Sequence, residues 1–429
     1  MEQYLRCRRL WLAGISMAIF SVLSCGYLGL NKPSTTLLPA DALVINNGMV
    51  IDGISQIPID DGLVAIREGI LLAVGPKAAF EIPEGAQLLD AQGGTILPGF
   101  IDVHSHILGK YPEHADSLQM ELAHWLKTGV TTLRDLGSHF GTSGKIHEIK
   151  MRLQGYGHTV PTVVLVGPFI SNVGGFPPSS FPNVGWTKRA VDAGEARQVA
   201  IKMLDAGADG LKIFLESGSR SQPLPILTSA QVAAITQVAH DRDTWVSAHI
   251  THIADAQVAV SNGVDDLAHP PAGAVSDELI AQMIEEDVLL GTTLTTLDGW
   301  FLTSDIIGFT EKEHIQIQQQ RQAYFRRFLD LGGRIALGTD YPYNLRPPGL
   351  PMEELQRMVD MGMTPMEVII AATQHGAIAC GLTEVIGTLQ VGKQADVIVV
   401  AGNPLEDIGI FESVTIVIKG GEIIVKPEL

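Results

Sequence analysis

A chain of 429 residues with 46% apolar content can bury one large core and a smaller one, so a single catalytic-sized domain with an accessory domain is expected ahead of several small modules. Its 29 Lys and Arg against 47 Asp and Glu give a formal charge of −18, and no basic block occurs beyond the first ten residues. That excludes a nucleic-acid footprint, which needs clustered Lys and Arg.

In chain order, Arg6, Arg8 and Arg9 precede an uncharged apolar run over 10–23, too short for a confident membrane span and shaped like an export signal. Ser24-Cys25-Gly26 at its end resembles a bacterial lipoprotein processing site, with Cys25 as the lipidated first residue. Arg8-Arg9-Leu10-Trp11-Leu12 also resembles a twin-arginine signal; a plain secretory peptide and an uncleaved anchor are the other readings. The chain is therefore expected to be exported, as a periplasmic or membrane-anchored lipoprotein whose lipid anchor is its sole membrane link. Residues 1–24 are the signal and 25–41, turn-rich and polar, a tether. Of Cys7, Cys25 and Cys380 only Cys380 would be left as a free thiol, so no intramolecular disulfide framework is expected.

Over 42–95, β-branched runs such as Leu43-Val44-Ile45 and Leu63-Val64-Ala65-Ile66 are broken by Asn46-Asn47-Gly48, Asp60-Asp61-Gly62 and Glu68-Gly69, which predicts a β-meander. The texture returns over 385–429, in Asp396-Val397-Ile398-Val399-Val400 and 415–425. Two such segments at opposite ends of a chain can pair into one small β-sandwich. Between them, over 96–384, strands are predicted at 100–103, 131–134, 162–166, 210–213, 245–248, 266–268, 289–294 and 334–337. Helical stretches such as 187–206, 229–242 and 310–331 alternate with them. The fold class predicted is α/β, a (β/α)8 TIM barrel with a small β-sandwich domain built from both chain ends.

His104 and His106 stand two apart after an apolar strand, so both imidazoles project from one face of an extended backbone and can grip one metal ion. Alone the pattern is weak, because histidines also pack as hydrogen-bonded core residues. Its weight comes from Lys212, His249, His269 and Asp340, each at the end of a later predicted strand. In a parallel barrel all strand ends meet at one mouth, so these residues would ring one cavity. His114, His124, His139, His147, His158 and His252 lack that placement and read as surface or supporting residues.

Leu97-Pro98-Gly99-Phe100-Ile101-Asp102-Val103-His104-Ser105-His106 resembles the opening metal motif of the amidohydrolase superfamily. Gly129-Val130-Thr131-Thr132-Leu133-Arg134-Asp135 is similar to its second strand, and Gly387-Thr388-Leu389-Gln390-Val391-Gly392-Lys393-Gln394-Ala395-Asp396 to the return into its β-sandwich. The resemblance runs from Ala42 onward and is strongest to prolidase-like and imidazolonepropionase-like members. It implies two divalent ions, zinc being the usual choice. His104 and His106 would hold the buried ion, His249 and His269 the more exposed one, and Asp340 would complete the buried site. Lys212 would bridge both as a carbamate, since an ammonium beside two cations is repelled whereas a carbamate supplies an anionic ligand. The other reading of Lys212 is an amine reaching outward to pair with an acid such as Glu216, leaving a mononuclear site in which His269 acts on substrate.

The resemblance further implies hydrolysis of a small-molecule amide, a dipeptide or N-acyl amino acid, by water activated between the ions, with Asp340 as the catalytic proton carrier. Lactone, ester or phosphotriester hydrolysis on the same site, a mononuclear deaminase, and a non-catalytic surface binding protein are the alternatives. Phe176 stands where dipeptidase members tend to carry a histidine, which leaves recognition of a substrate carboxylate open. The loop 176–186 either covers the mouth and favours an apolar leaving group or packs as surface. No substrate-binding residue is assigned.

Overall fold

The computed structural model describes residues 35–110, 115–137, 145–177, 187–219, 222–303, 310–343 and 346–427. The signal segment 1–24, Cys25, most of the tether, His114, His139 and most of the loop 176–186 lie outside them. Thr36–Leu37, at the end of the expected tether, pair in parallel with Phe80–Glu81, and Leu38 is buried. The apolar Leu38 side chain thus joins the body.

Strands from both chain ends share one mixed sheet, in the order Glu422–Val425, Val414–Lys419, Val397–Val400, Thr95–Pro98, Leu43–Val50, Ile59–Arg67 and Ile70–Pro76, with Gln87–Asp90 beside Leu43–Val50. The two ends meet where Val397–Val400 runs antiparallel to Thr95–Pro98, Val397 opposite Pro98. Alternate residues Leu43, Ile45, Val64, Ile66, Val397, Val399, Ile416 and Ile418 fill one core on one side of that sheet.

The middle of the chain forms two parallel sheets. One orders Thr162–Leu165, Val130–Asp135 and Phe100–Ser105; the other orders Thr187–Ala190, Phe169–Asn172, Leu211–Leu215, Val246–Ile250, Asp266–Leu267, Leu289–Gly291 and Ile335–Ala336. Hydrogen bonds join them along two seams. The Asp209 amide donates to the Leu165 carbonyl at 2.8 Å, and on the other side Val103 N–H donates to Leu337 O at 2.8 Å and Asp340 N–H to His104 O at 2.7 Å. Helices Ala193–Asp205, Ser229–His240 and Glu311–Asp330 fall between strands, the last two opened by capping boxes in which Thr228 pairs with Gln231 and Thr310 with Glu313.

Two expectations need correction. The third predicted strand, 162–166, forms as Thr162–Leu165, but a further strand that was not expected, Phe169–Asn172, follows it beyond Gly167 (φ +77°) and Pro168, which separate the two. The stretch 187–206 is not helical throughout: Thr187–Ala190 pairs in parallel with Phe169–Asn172, and the helix starts only where Asp192, itself extended, accepts the Glu195 N–H.

The buried pair Lys419–Asp396, 2.6 Å apart, joins the end strands to the parallel region through a second bond from Lys419 Nζ to Thr162 Oγ1 at 2.8 Å.

Candidate metal centre

The strand Phe100–Ser105 is buried along its whole length and delivers His104 and, just beyond, His106. His104 Nδ1 lies 3.1 Å from the Ala268 carbonyl oxygen and His106 Nδ1 2.8 Å from that of Gly137. A carbonyl oxygen only accepts, so each Nδ1 carries the proton and donates. Burial, reinforced by the charge of Lys212, holds the His104 imidazole well below its ordinary pKa and thus neutral. Its Nε2 therefore presents a lone pair. The two Nε2 atoms are 3.3 Å apart, and Asp340 Oδ1 lies 3.3 Å from that of His104 and 3.1 Å from that of His106. Electron-rich atoms facing one another at such distances are an arrangement that a cation completes.

Gly137 can bring its carbonyl to His106 because it has a φ of +138° and no side chain; a Cβ there would lie 1.8 Å from the Phe169 ring.

Asp340 follows the strand Ile335–Ala336 with a φ of +58°, and its buried Oδ2 has no hydrogen-bond partner among the described residues. Lys212, in Leu211–Leu215, is 1% exposed, and its Nζ is likewise without one. Burial pushes the Lys212 amine down to about 7, with Asp266 and Asp340 pulling upward and Arg134 downward. Two orphaned buried atoms, one on a carboxylate and one on an amine, fit a site that takes metal ions. The alternative of an outward Lys212 paired with Glu216 is not what the fold makes: the amine is buried, and Glu216 faces His249 at 3.5 Å and His252 at 3.6 Å.

His249, in Val246–Ile250, turns Nε2 to Glu216, and His269, past Asp266–Leu267, turns Nδ1 to the Thr293 hydroxyl at 2.8 Å. Burial lowers both imidazoles, His269 the more strongly. The His269 ring lies 4.7 Å from that of His104 and 4.7 Å from that of His249, and ligand atoms of His104, His269 and Asp340 all fall within 4.8 Å of one another. All six residues singled out in the sequence, His104, His106, Lys212, His249, His269 and Asp340, come together; the Lys212 charge acts on His104, His249 and His269.

Aromatic rings line two sides of the cluster. Phe176 stacks on His249 with 2° between planes at 5.6 Å, Phe214 on its ring at 4.6 Å, and Tyr343 meets His106 edge-on at 5.2 Å. Sequence reasoning misses Thr293, Tyr343 and the Glu216 contact to His249. Thr293 stands two residues past the strand Leu289–Gly291, as His269 stands two past Asp266–Leu267, and that is the only signal it carries. A cavity of about 720 Å³ elsewhere, lined by Lys150, Asp209, Trp245, Cys380 and Lys419, has both lysines already paired, Lys150 with Asp209 at 2.5 Å and Lys419 with Asp396 at 2.6 Å.

A metal-binding α/β protein is the class that this fold and site define. More particularly, the chain belongs to the amidohydrolase family, whose model matches residues 95–424. It is 26% identical to the ochratoxinase of Aspergillus niger over 432 residues, covering 90% of this chain and 88% of that one, and 26% identical to the imidazolonepropionase of Haloarcula marismortui over 408 residues, covering 84% and 88%. Among solved structures it is similar to a Xaa-Pro dipeptidase with methionine bound in its active site, with a TM-score of 0.73 at 25% identity over 89% of this chain and 99% of that one.

Proposed function

We propose that this chain hydrolyses amide bonds in small molecules, dipeptides or N-acyl amino acids among them, with two divalent cations, zinc foremost, held by the six converging residues. In this reading His104, His106 and Asp340 would hold one ion and His249 and His269 the other, and Lys212 would serve both as a carbamate. When bound, the ions supply Lewis acidity that polarises the scissile carbonyl and brings the pKa of water toward neutral.

The observation that carries the reading is the buried, unpartnered Oδ2 of Asp340, two bonds from an Oδ1 that faces His104 and His106. That oxygen takes a proton from the attacking water and passes it to the leaving nitrogen. The carbonyls of Ala268 and Gly137 hold the two histidine rings with Nε2 inward. Burial brings the Lys212 amine down to about 7, so a large share of it is neutral near pH 7, and the neutral amine is the form that adds carbon dioxide, releasing one proton as the N–C bond forms. Membership of the amidohydrolase family and similarity to a protein named a dipeptidase support C–N cleavage.

In the same reading the two parallel sheets are one (β/α)8 barrel over 96–384, and the mixed sheet is a β-sandwich of 42–95 with 385–429. The hydrogen bonds at both seams between the parallel sheets support this. Export through residues 1–24 with lipidation at Cys25 rests on sequence alone; detergent partitioning that is unchanged in Cys25→Ser would remove the anchor.

The test is metal analysis of the purified protein beside assays on dipeptides, N-acyl amino acids, lactones and aryl phosphotriesters. About two ions per chain and C–N cleavage, both lost in Lys212→Ala, are expected. A metal-free active preparation ends the metal reading, and turnover of lactones or phosphotriesters alone transfers the site to those substrates.

A further inference from the structure

Each histidine of the centre spends one ring nitrogen outside it, and for three of them the partner is a strong acceptor: the Ala268 and Gly137 carbonyls and the Glu216 carboxylate. His269 differs. Its Nδ1 meets the Thr293 hydroxyl, a neutral group that can rotate. Thr293 also has a φ of +44°, a region that β-branched residues avoid, so its conformation persists only where neighbours over-determine it.

Glu354 supplies that constraint from the helix Met352–Asp360, about sixty residues along the chain. Its Oε1 accepts the Leu294 N–H at 2.7 Å, and its Oε2 accepts the Thr295 N–H at 2.9 Å and the Thr295 hydroxyl at 2.7 Å. These groups open the helix Leu294–Thr303, whose positive end a carboxylate complements. On the other side of the turn, Thr293 N–H donates to the Gly338 carbonyl at 2.9 Å. Glu354 is fully buried, so its acceptors have no water to turn to.

We infer that Glu354 is a positioning residue for His269: it pins the 292–295 turn, the turn places the Thr293 hydroxyl, and the hydroxyl holds the imidazole with Nε2 toward the centre. The inference rests on the reading of His269 as a metal ligand.

Zinc-loaded full-length protein is dialysed against graded chelator and the zinc retained per chain is counted for wild type, Glu354→Gln, Thr293→Val and the double variant, with thermal melts on the same samples. Gln keeps the shape but turns an NH2 toward a backbone N–H; Val keeps the β-branch and loses the hydroxyl. Each single variant is expected to weaken one of the two ions by about 10–100-fold while the other keeps its affinity. The double variant loses no more than the weaker single one, because both act along one path. Wild-type retention of both ions in Glu354→Gln, with only a lower melting temperature, overturns the inference, as does additive loss in the double variant. Should Glu354→Gln fail to fold, Thr295→Val, which removes one of the donors to Glu354, decides: a smaller weakening of the same ion supports the inference and wild-type affinity overturns it. A wild type that binds no zinc removes the metal reading itself, an outcome distinct from two ions indifferent to Glu354.

Discussion

Arg134 and Asp266 form a two-pronged ion pair, Nη1 to Oδ2 at 2.8 Å and Nη2 to Oδ1 at 3.2 Å, buried within electrostatic reach of Lys212. Arg134 also donates from Nε to the Val103 carbonyl at 2.6 Å and from Nη1 to that of Ala379 at 2.7 Å, and it lies over the Trp245 ring at 4.7 Å. Asp266 accepts the Ser247 hydroxyl at 2.6 Å. The pair therefore ties strands 100–105, 130–135, 246–250 and 266–267 to the helix Gln374–Ala379. Removing one partner leaves the other charge buried and uncompensated, which costs about 3–5 kcal/mol. Asp266→Asn is expected to lose about 3 kcal/mol in denaturant unfolding, and Arg134→Met with Asp266→Leu to recover most of it. A loss under about 1 kcal/mol in Asp266→Asn would show that the pair does not hold the strands.

Asp340→Asn isolates the proton carrier. Asn tolerates the φ of +58° as Asp does, so the backbone keeps its course, whereas alanine would strain it. The amide cannot take a proton from water. A fall in kcat of about 10²–10⁴ with a near-wild-type melting temperature is expected, metal content being counted on the same sample to separate loss of an ion from loss of the base. Activity within about tenfold of wild type moves the proton to another group.

Phe176 is half-buried while Phe169 and Phe214 behind it are covered, so Phe176 is the ring of that stack that a substrate can meet. Phe176→Ala is expected to lower kcat/KM about tenfold, ~1.4 kcal/mol, for substrates bearing an aryl or branched apolar group, chiefly through KM. Small polar substrates should change little. Equal losses on both kinds would mean that the ring supports His249 instead of binding substrate.

How much of this is legible in the sequence follows from what fixes each residue. His104, His106, His249, His269 and Asp340 are legible because they stand at or just past the ends of apolar runs, and parallel strands carry such ends to one place whatever the intervening loops do, whereas Lys212 stands second in its strand Leu211–Leu215. Thr187–Ala190 is not, because its strand conformation depends on a partner, Phe169–Asn172, that lies in another part of the chain. Gly167-Pro168 does signal the end of the third strand, by composition alone. Lys212 is visible as a residue, but the lowering of its pKa comes from burial, a property of the assembled core. Glu354 gives no local signal: it lies in a helix with Glu353 beside it, and only tertiary packing tells the buried acid from its neighbour.

His375 supplies a pH dependence of stability away from the metal centre. It sits in the helix Gln374–Ala379 with Nδ1 donating to the Ile335 carbonyl at 2.8 Å. Burial pushes its pKa down to about 4 from 6.5, the Ile335 contact and Asp287 pulling upward and Arg334 downward. Above pH 6.5 neither the folded nor the unfolded chain protonates it, so it contributes no pH dependence. Between 6.5 and about 4 the unfolded chain binds a proton that the folded chain does not, so stability falls as the pH is lowered through that window. The full shift corresponds to at most about 3–4 kcal/mol, and a change from about pH 7.5 to 5 takes up part of it. Carboxylates titrate in the lower part of the same range, so the informative quantity is the difference between wild type and His375→Gln, which keeps a donor for Ile335 and cannot titrate. The variant is expected to lose less stability than wild type over that pH change, read as a smaller drop in the unfolding midpoint. Equal drops in the two proteins would show that His375 takes up a proton as readily when folded as when unfolded.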